Sequence, residues 1–122
     1  MTLNQAVKKF TVAGLDVSAL EGQEKAFQNC LSFLDGIEKT RLQNRRRGSY
    51  GYKHIVENPS GNFGIRSSQD FYTGYIYEGT FILAALASGF TMQQSGRGLK
   101  ATFNISERGL RRRAIEITNS AS

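Results

Sequence analysis

The run Tyr75-Ile76-Tyr77-Glu78-Gly79-Thr80-Phe81-Ile82-Leu83-Ala84-Ala85-Leu86-Ala87-Ser88-Gly89-Phe90 is the longest apolar stretch in the chain, and from Gly79 onward it carries no charge. Large and small residues mix along it, the pattern of a helix packed on several sides. Gly79 or Thr80 can start that helix, and Gly89 stands where a left-handed C-terminal cap belongs. This leaves about nine or ten helical residues, against the roughly 20 needed to cross a bilayer. The run is therefore expected to be a buried core helix around which the rest of the chain wraps.

With 122 residues, 39% of them hydrophobic, and with 8 Phe and 5 Tyr, the chain can close a core without staples. A single domain, 1–122, is expected. Cys30 is the only cysteine, so no disulfide can form within the chain. That fits a reducing compartment, and no basic segment followed by a long apolar core opens the N-terminus. The expectation is a cytoplasmic protein with no membrane partner.

Sixteen Lys and Arg against ten Asp and Glu give a net charge of +6. Segment 10–38 holds Asp16, Glu21, Glu24, Asp35 and Glu38 against Lys25 alone. Segment 41–53 holds Arg41, Arg45, Arg46, Arg47 and Lys53 with no acid, and segment 97–113 holds Arg97, Lys100, Arg108, Arg111, Arg112 and Arg113 against Glu107. Such asymmetry favours a polyanionic or acidic partner.

In residues 1–17, Val7, Phe10, Val12, Leu15 and Val17 fit either a short helix leading into a strand or an extended arm; Gly14 argues against one continuous element, and a strand or extended arm is the expectation. From Ser18 the spacing of Leu20, Phe27, Cys30, Leu31, Leu34, Ile37 and Leu42 predicts one long amphipathic helix. Ser18 and Glu21 would form its capping box, Arg45–Arg47 its cationic last turn and Gly48 its end, with Gly36 a weak point inside. Ser49–Glu57 reads as a short helix, Asn58-Pro59-Ser60-Gly61-Asn62 as a turn, and 61–75 as a loop pinned by aromatics. Phe90–Gln94 and Leu99–Ile105 alternate in period two around Ser95-Gly96-Arg97-Gly98, a hairpin signal. Phe90, Met92, Leu99, Ala101, Phe103 and Ile105 would face the core. Ser106 would cap a last helix with Leu110, Ala114 and Ile117 inward and Arg108, Arg111 and Arg112 outward, fraying from Thr118. The fold class is thus α+β: a long N-terminal helix, a central buried helix, a β-hairpin or small antiparallel sheet, and a C-terminal helix.

Catalytic signatures are weak. Tyr50, His54 and Glu57 share helical spacing and could orient a general base, but no nucleophile or metal pattern accompanies them, and local packing is the favoured reading. One His and one Cys cannot build a typical zinc site, so neither metal nor cofactor is expected. Cys30 reads as a small buried hydrophobe. The Ser95–Gly98 loop lacks the Gly-Lys-Ser/Thr of a phosphate loop and reads as a turn. A helix-turn-helix over 78–97 would need a recognition helix containing Gly96 and Gly98, a poor helix.

Three consecutive arginines, Arg111–Arg113, with Arg108, repel one another and are not needed for solubility, so they read as a binding face together with Arg97 and Lys100. Arg45, Arg46, Arg47, Lys53 and Tyr52 complete the candidate set. Tyr50, Tyr52, Phe63, Phe71, Tyr72, Tyr75 and Tyr77 lie beside these cations, and aromatics interleaved with cations serve stacking on single-stranded or RNA ligands. Most of them are expected in the core.

The blocks Ser49-Tyr50-Gly51-Tyr52-Lys53-His54, Gly79-Thr80-Phe81-Ile82-Leu83-Ala84-Ala85 and Asn104-Ile105-Ser106-Glu107-Arg108, in a short basic chain, resemble small accessory proteins of phages and plasmids, anti-CRISPR inhibitors among them. That resemblance implies binding rather than catalysis. Many anti-CRISPR proteins are acidic DNA mimics, and this basic chain departs from them toward guide RNA, target DNA or an acidic protein face. The expected function is a non-enzymatic binder of RNA, DNA or a nucleoprotein complex. The alternatives are a protein-only interaction module or inhibitor meeting an acidic surface, with a homodimer as one form, and a small enzyme using His54.

Overall fold

The computed structural model describes residues 1–65, 74–94, 96 and 98–121. Its elements are the helices α1 (Leu3–Lys9), α2 (Glu24–Leu34), α3 (Ser49–Glu57), α4 (Pro59–Phe63), α5 (Glu78–Ala87) and α6 (Glu107–Ala121), and the strands β1 (Lys39–Asn44), β2 (Met92–Gln94) and β3 (Ala101–Ile105). The class is α+β, as expected from the sequence.

The central helix α5 is apolar all round, with Phe81, Ile82, Leu83, Ala84 and Ala85 completely buried. It packs against α1, α2 and α3. Gly89 takes the left-handed conformation that ends it. There the Phe90 amide donates to Ala85 O (3.1 Å) and the Gly89 amide to Leu86 O (3.0 Å), a Schellman closure. At the other end, buried Gln23 accepts from the Tyr77 amide (2.8 Å) and the Thr80 hydroxyl (2.9 Å). No described helix is long and apolar enough to cross a membrane.

The three strands form an antiparallel sheet in the order β1-β3-β2. The hairpin β2–β3 is in the register Met92↔Phe103, Gln93↔Thr102 and Gln94↔Ala101. Ala101, Phe103 and Ile105 are buried on the inner face, as the period-two pattern required, with Phe90 beside them and Met92 and Leu99 half-buried. Tyr52, Phe81 and Phe103 meet there as an aromatic trio with ring centroids 5.2, 5.9 and 6.3 Å apart. Because β2 follows α5, no recognition helix stands over 92–94.

The long N-terminal helix is much shorter than its apolar stripe suggested. Ser18 belongs to a 3-10 turn, Val17–Leu20, where Asp16 accepts from the Ser18 amide (3.1 Å). The helix proper starts at Glu24 and stops at Leu34, because Gly36 turns left-handed at φ +80°. Beyond it the chain becomes β1, whose Leu42 is 77% exposed instead of lying on a helical stripe. Arg45–Arg47 therefore occupy a strand-to-helix turn, and no helix C-terminus lies there for them to complement.

Residues 3–9 form a helix where a strand or arm was expected. Thr2 and Gln5 make the reciprocal capping box, with bonds of 3.2 and 2.8 Å. The expected turn over 58–62 opens instead into α4, with Asn58 capping Gly61 N (3.0 Å) and Pro59 at its first position. Thr118, expected to fray, is buried and donates to Ala114 O (2.8 Å). Ser106 caps α6 as expected, accepting from the Gly109 amide (3.0 Å).

Candidate nucleic-acid interface

The turn between β1 and α3 is built around Asn44. Its carboxamide oxygen accepts from the Arg46 amide (3.1 Å), and its nitrogen donates to Ile105 O (3.3 Å) and to Glu107 Oε1 (3.0 Å). Arg47 closes the arrangement by gripping Glu107 with two parallel bonds, Nε to Oε1 (2.9 Å) and Nη2 to Oε2 (2.6 Å). That grip holds the Glu107 carboxyl below the usual carboxylate range, with Asn44 and the nearby Arg46 acting in the same sense and partial burial opposing. Glu107, the one acid of segment 97–113, is thus neutralised internally.

Around this pair the open cations gather. The Arg47 guanidinium lies 4.9 Å from the Phe63 ring centroid and that of Arg111 5.9 Å from the same ring, so the half-buried Phe63 has two arginines on it. Lys100 runs along Gly48, its Cε 3.4 Å from where a Cβ on that glycine would stand. Arg45, Arg46, Lys100, Arg108 and Arg111 are exposed and make no ion pair among the described residues. Lys100 beside Gly48, Arg46 near Glu107 and Arg111 on the ring that Arg47 also covers bring basic side chains of the β1–α3 turn, the start of β3 and α6 to one zone, a basic strip that Arg45 and Arg108 flank in sequence.

The three consecutive arginines of α6 do not share one face. Arg111 turns to Phe63. Arg112 turns to the end of α2, where it pairs with Glu38 (2.7 Å) and donates to Gly36 O (3.3 Å). Arg113 donates to Ser32 O (2.6 Å) and Phe33 O (3.2 Å) and pairs with Glu116 (3.3 Å). Helix spacing of about 100° per residue forces this splay. Arg113 accordingly ties α6 to the end of α2 and Arg112 ties it to the turn that follows, so within 111–113 only Arg111 makes no ion pair or backbone hydrogen bond among the described residues.

Two further expected contacts are corrected by burial. Tyr52 is completely buried in the aromatic trio. Burial, reinforced by the Glu107 charge, pushes its phenol up. Lys53 is 5% exposed and pairs with Glu57 (3.3 Å). Neither reaches a partner from the surface. Arg97 lies outside the described residues, as do Phe71 and Tyr72.

The His54–Glu57 contact that the helical spacing allows is present: Nδ1 sits 2.9 Å from Oε1 of the buried carboxylate. Oε2 accepts from the Ile76 amide (2.8 Å) and from Lys53. Cys30 is buried, and burial followed by the Glu57 charge pushes its thiol up to about 12, the state of an unreactive core cysteine. Among the described residues no three His, Cys, Asp or Glu side chains are grouped to hold a metal.

One feature was missed from the candidate set. Between Lys39↔Ile105 and Asn44↔Phe103, β1 advances five positions while β3 goes back two, so β1 bulges outward. Gln43 staples the bulge to Thr102 (3.0 Å) and Thr91 (3.0 Å), and Asn104 does so through Thr40 O (3.1 Å). Arg41, Leu42, Gln43, Arg45 and Gln93 line a hollow of about 530 Å³ there. Leu42 between two polar neighbours, read as strand instead of helix, was the available signal. No family model, curated protein or solved structure matches the chain.

Proposed function

We propose that the chain is a small, basic, non-enzymatic binding protein that engages nucleic acid, alone or within a nucleoprotein complex. One observation carries the reading. The single acid of the basic zone is consumed by Arg47, which leaves Arg45, Arg46, Lys100, Arg108 and Arg111 exposed and unpaired around it. Mutual repulsion among them is relieved by a ligand bearing several negative charges, and arginine forks fit phosphate oxygens. The hollow that Arg45 helps to line adds Arg41 to these cations.

The test is titration of RNA, single-stranded DNA and duplex DNA at two salt concentrations. Binding that weakens as salt rises, with a slope set by the number of phosphates neutralised, supports the reading. Absence of binding at low salt removes it and leaves an acidic protein surface as the partner of the strip.

A further inference from the structure

Directly after the basic turn, α3 presents a second built feature that the strip does not use. Lys53 Nζ lies 4.5 Å from the ring centroid of Tyr75 and 5.4 Å from that of Tyr50, so one ammonium holds two tyrosines. Glu57 anchors that ammonium from below, and its other oxygen orients His54, whose ring meets Tyr50 edge-on at 4.5 Å. The same carboxylate takes the Ile76 amide, which fixes the chain next to Tyr75. A buried acid thus positions both rings, yet Tyr50 is 58% exposed and Tyr75 62%. Core packing does not account for two tyrosines that share one buried ammonium and are left open.

We infer that Tyr50 and Tyr75 form a stacking platform for unpaired bases, so that the ligand of the basic strip is a single-stranded nucleic acid. This rests on the nucleic-acid reading of the strip and narrows it. Tyr50 follows Arg45–Arg47 by three residues, and α3 starts beside Lys100, so a backbone lying on the strip places its next bases over the platform. Lys53 covers one side of each ring, and the solvent-open side remains for a base. Every base has a π face, so the platform selects single strands over duplex without selecting sequence. Duplex bases are already stacked on one another and cannot use it.

Short single-stranded DNA and RNA oligonucleotides and the duplex of equal length are titrated against wild type, Tyr50→Ala, Tyr75→Ala and Arg45→Glu/Arg46→Glu across a salt series. Wild type is expected to bind single strands more tightly than duplex, with the RNA and DNA arms showing which sugar it favours. Each alanine variant is expected to lose on the order of 5- to 100-fold in single-strand affinity with an unchanged salt slope. The double arginine variant flattens the slope instead. Tyr50→Phe and Tyr75→Phe keep the ring and should bind as wild type. If an alanine variant unfolds, Tyr→Leu fills the same space without a π face, and it must lose affinity too. Alanine or leucine variants that bind as wild type, or equal affinity for duplex, overturn the platform while the strip stands. If no nucleic acid binds at all, both fall.

Discussion

Arg113 donates a 2.6 Å hydrogen bond to the main-chain oxygen of Ser32, closing the C-terminal turn of α2 with a side chain from the far end of the chain. A helix leaves its last carbonyls without intrahelical partners, and a guanidinium satisfies them while complementing the dipole. Arg113→Ala should lower stability by about 0.5–1.5 kcal/mol, since it removes the side-chain donor from the partly buried Phe33 carbonyl and from that of Ser32, which keeps the Asp35 amide. Arg111→Ala should leave the melting temperature near wild type, because Arg111 is exposed and bonds no backbone. Thermal unfolding of the two variants separates the structural arginine from the open one.

The Arg47–Glu107 pair gives a pH signature. The folded-state pKa of Glu107 lies below its ordinary value of 4.5, so the pair stabilises the fold above that value. Its contribution is lost as pH falls through the depressed folded value. Glu107→Gln should therefore reduce stability at neutral pH and flatten the decline below about pH 4.5. Because the pair is partly solvent-screened, the neutral-pH effect should be modest. Melting curves from pH 3 to pH 7 on wild type and variant measure it.

Phe81 stacks on Tyr52 and meets Phe103 edge-on in a fully buried site. Phe81→Ala should cost on the order of 3–5 kcal/mol. Leu42→Ala, at a position 77% exposed on the β1 bulge, should stay within about 0.5 kcal/mol of wild type. A large loss at Leu42, measured by denaturant unfolding, would return that residue to a helical core stripe and contradict the strand.

Glu57 satisfies a buried ammonium, an imidazole and an amide at once. Glu57→Ala should cost about 3–5 kcal/mol, the penalty of leaving Lys53 buried and unpaired. His54→Ala removes the half-exposed ring that meets Tyr50 edge-on; Lys53 still lies against Tyr50, so binding should fall only a few-fold from wild type. Loss of function in a folded, ligand-competent His54→Ala protein would point to chemistry at this histidine instead.

What was legible in the sequence was governed by local rules. The core helix, its Gly89 cap, the β2–β3 hairpin and the Ser106 cap each follow from spacing or a capping residue within a few positions. The failure over 35–47 is instructive, because Ile37 and Leu42 continue a helical spacing by coincidence. Gly36 needs a positive φ, and β3 needs a second edge partner, a demand set by residues about 60 positions away. The site shows the same division. Both arginine clusters stand out in composition, but which arginines stay open depends on remote groups: Glu38, Glu107 and the carbonyls ending α2. Tyr52 and Lys53 looked like surface candidates because their neighbours are basic, and only the packing of α3 on α5 and β3 shows them buried. The exposed pair Tyr50 and Tyr75 is likewise a matter of tertiary placement.

The most direct measurement is the salt dependence of nucleic-acid affinity for wild type and for Arg45→Glu/Arg46→Glu, with melting temperatures recorded alongside. Both arginines are exposed and unpaired, so the variant should lose only the support that Arg46 gives Glu107 and melt slightly below wild type. The wild-type logarithmic plot should fall steeply with salt, and the variant should bind far more weakly with a slope shallower by about two phosphate contacts. Equal slopes in two folded proteins, or no affinity for any nucleic acid at low salt, would contradict the claim that this strip is a phosphate-binding surface.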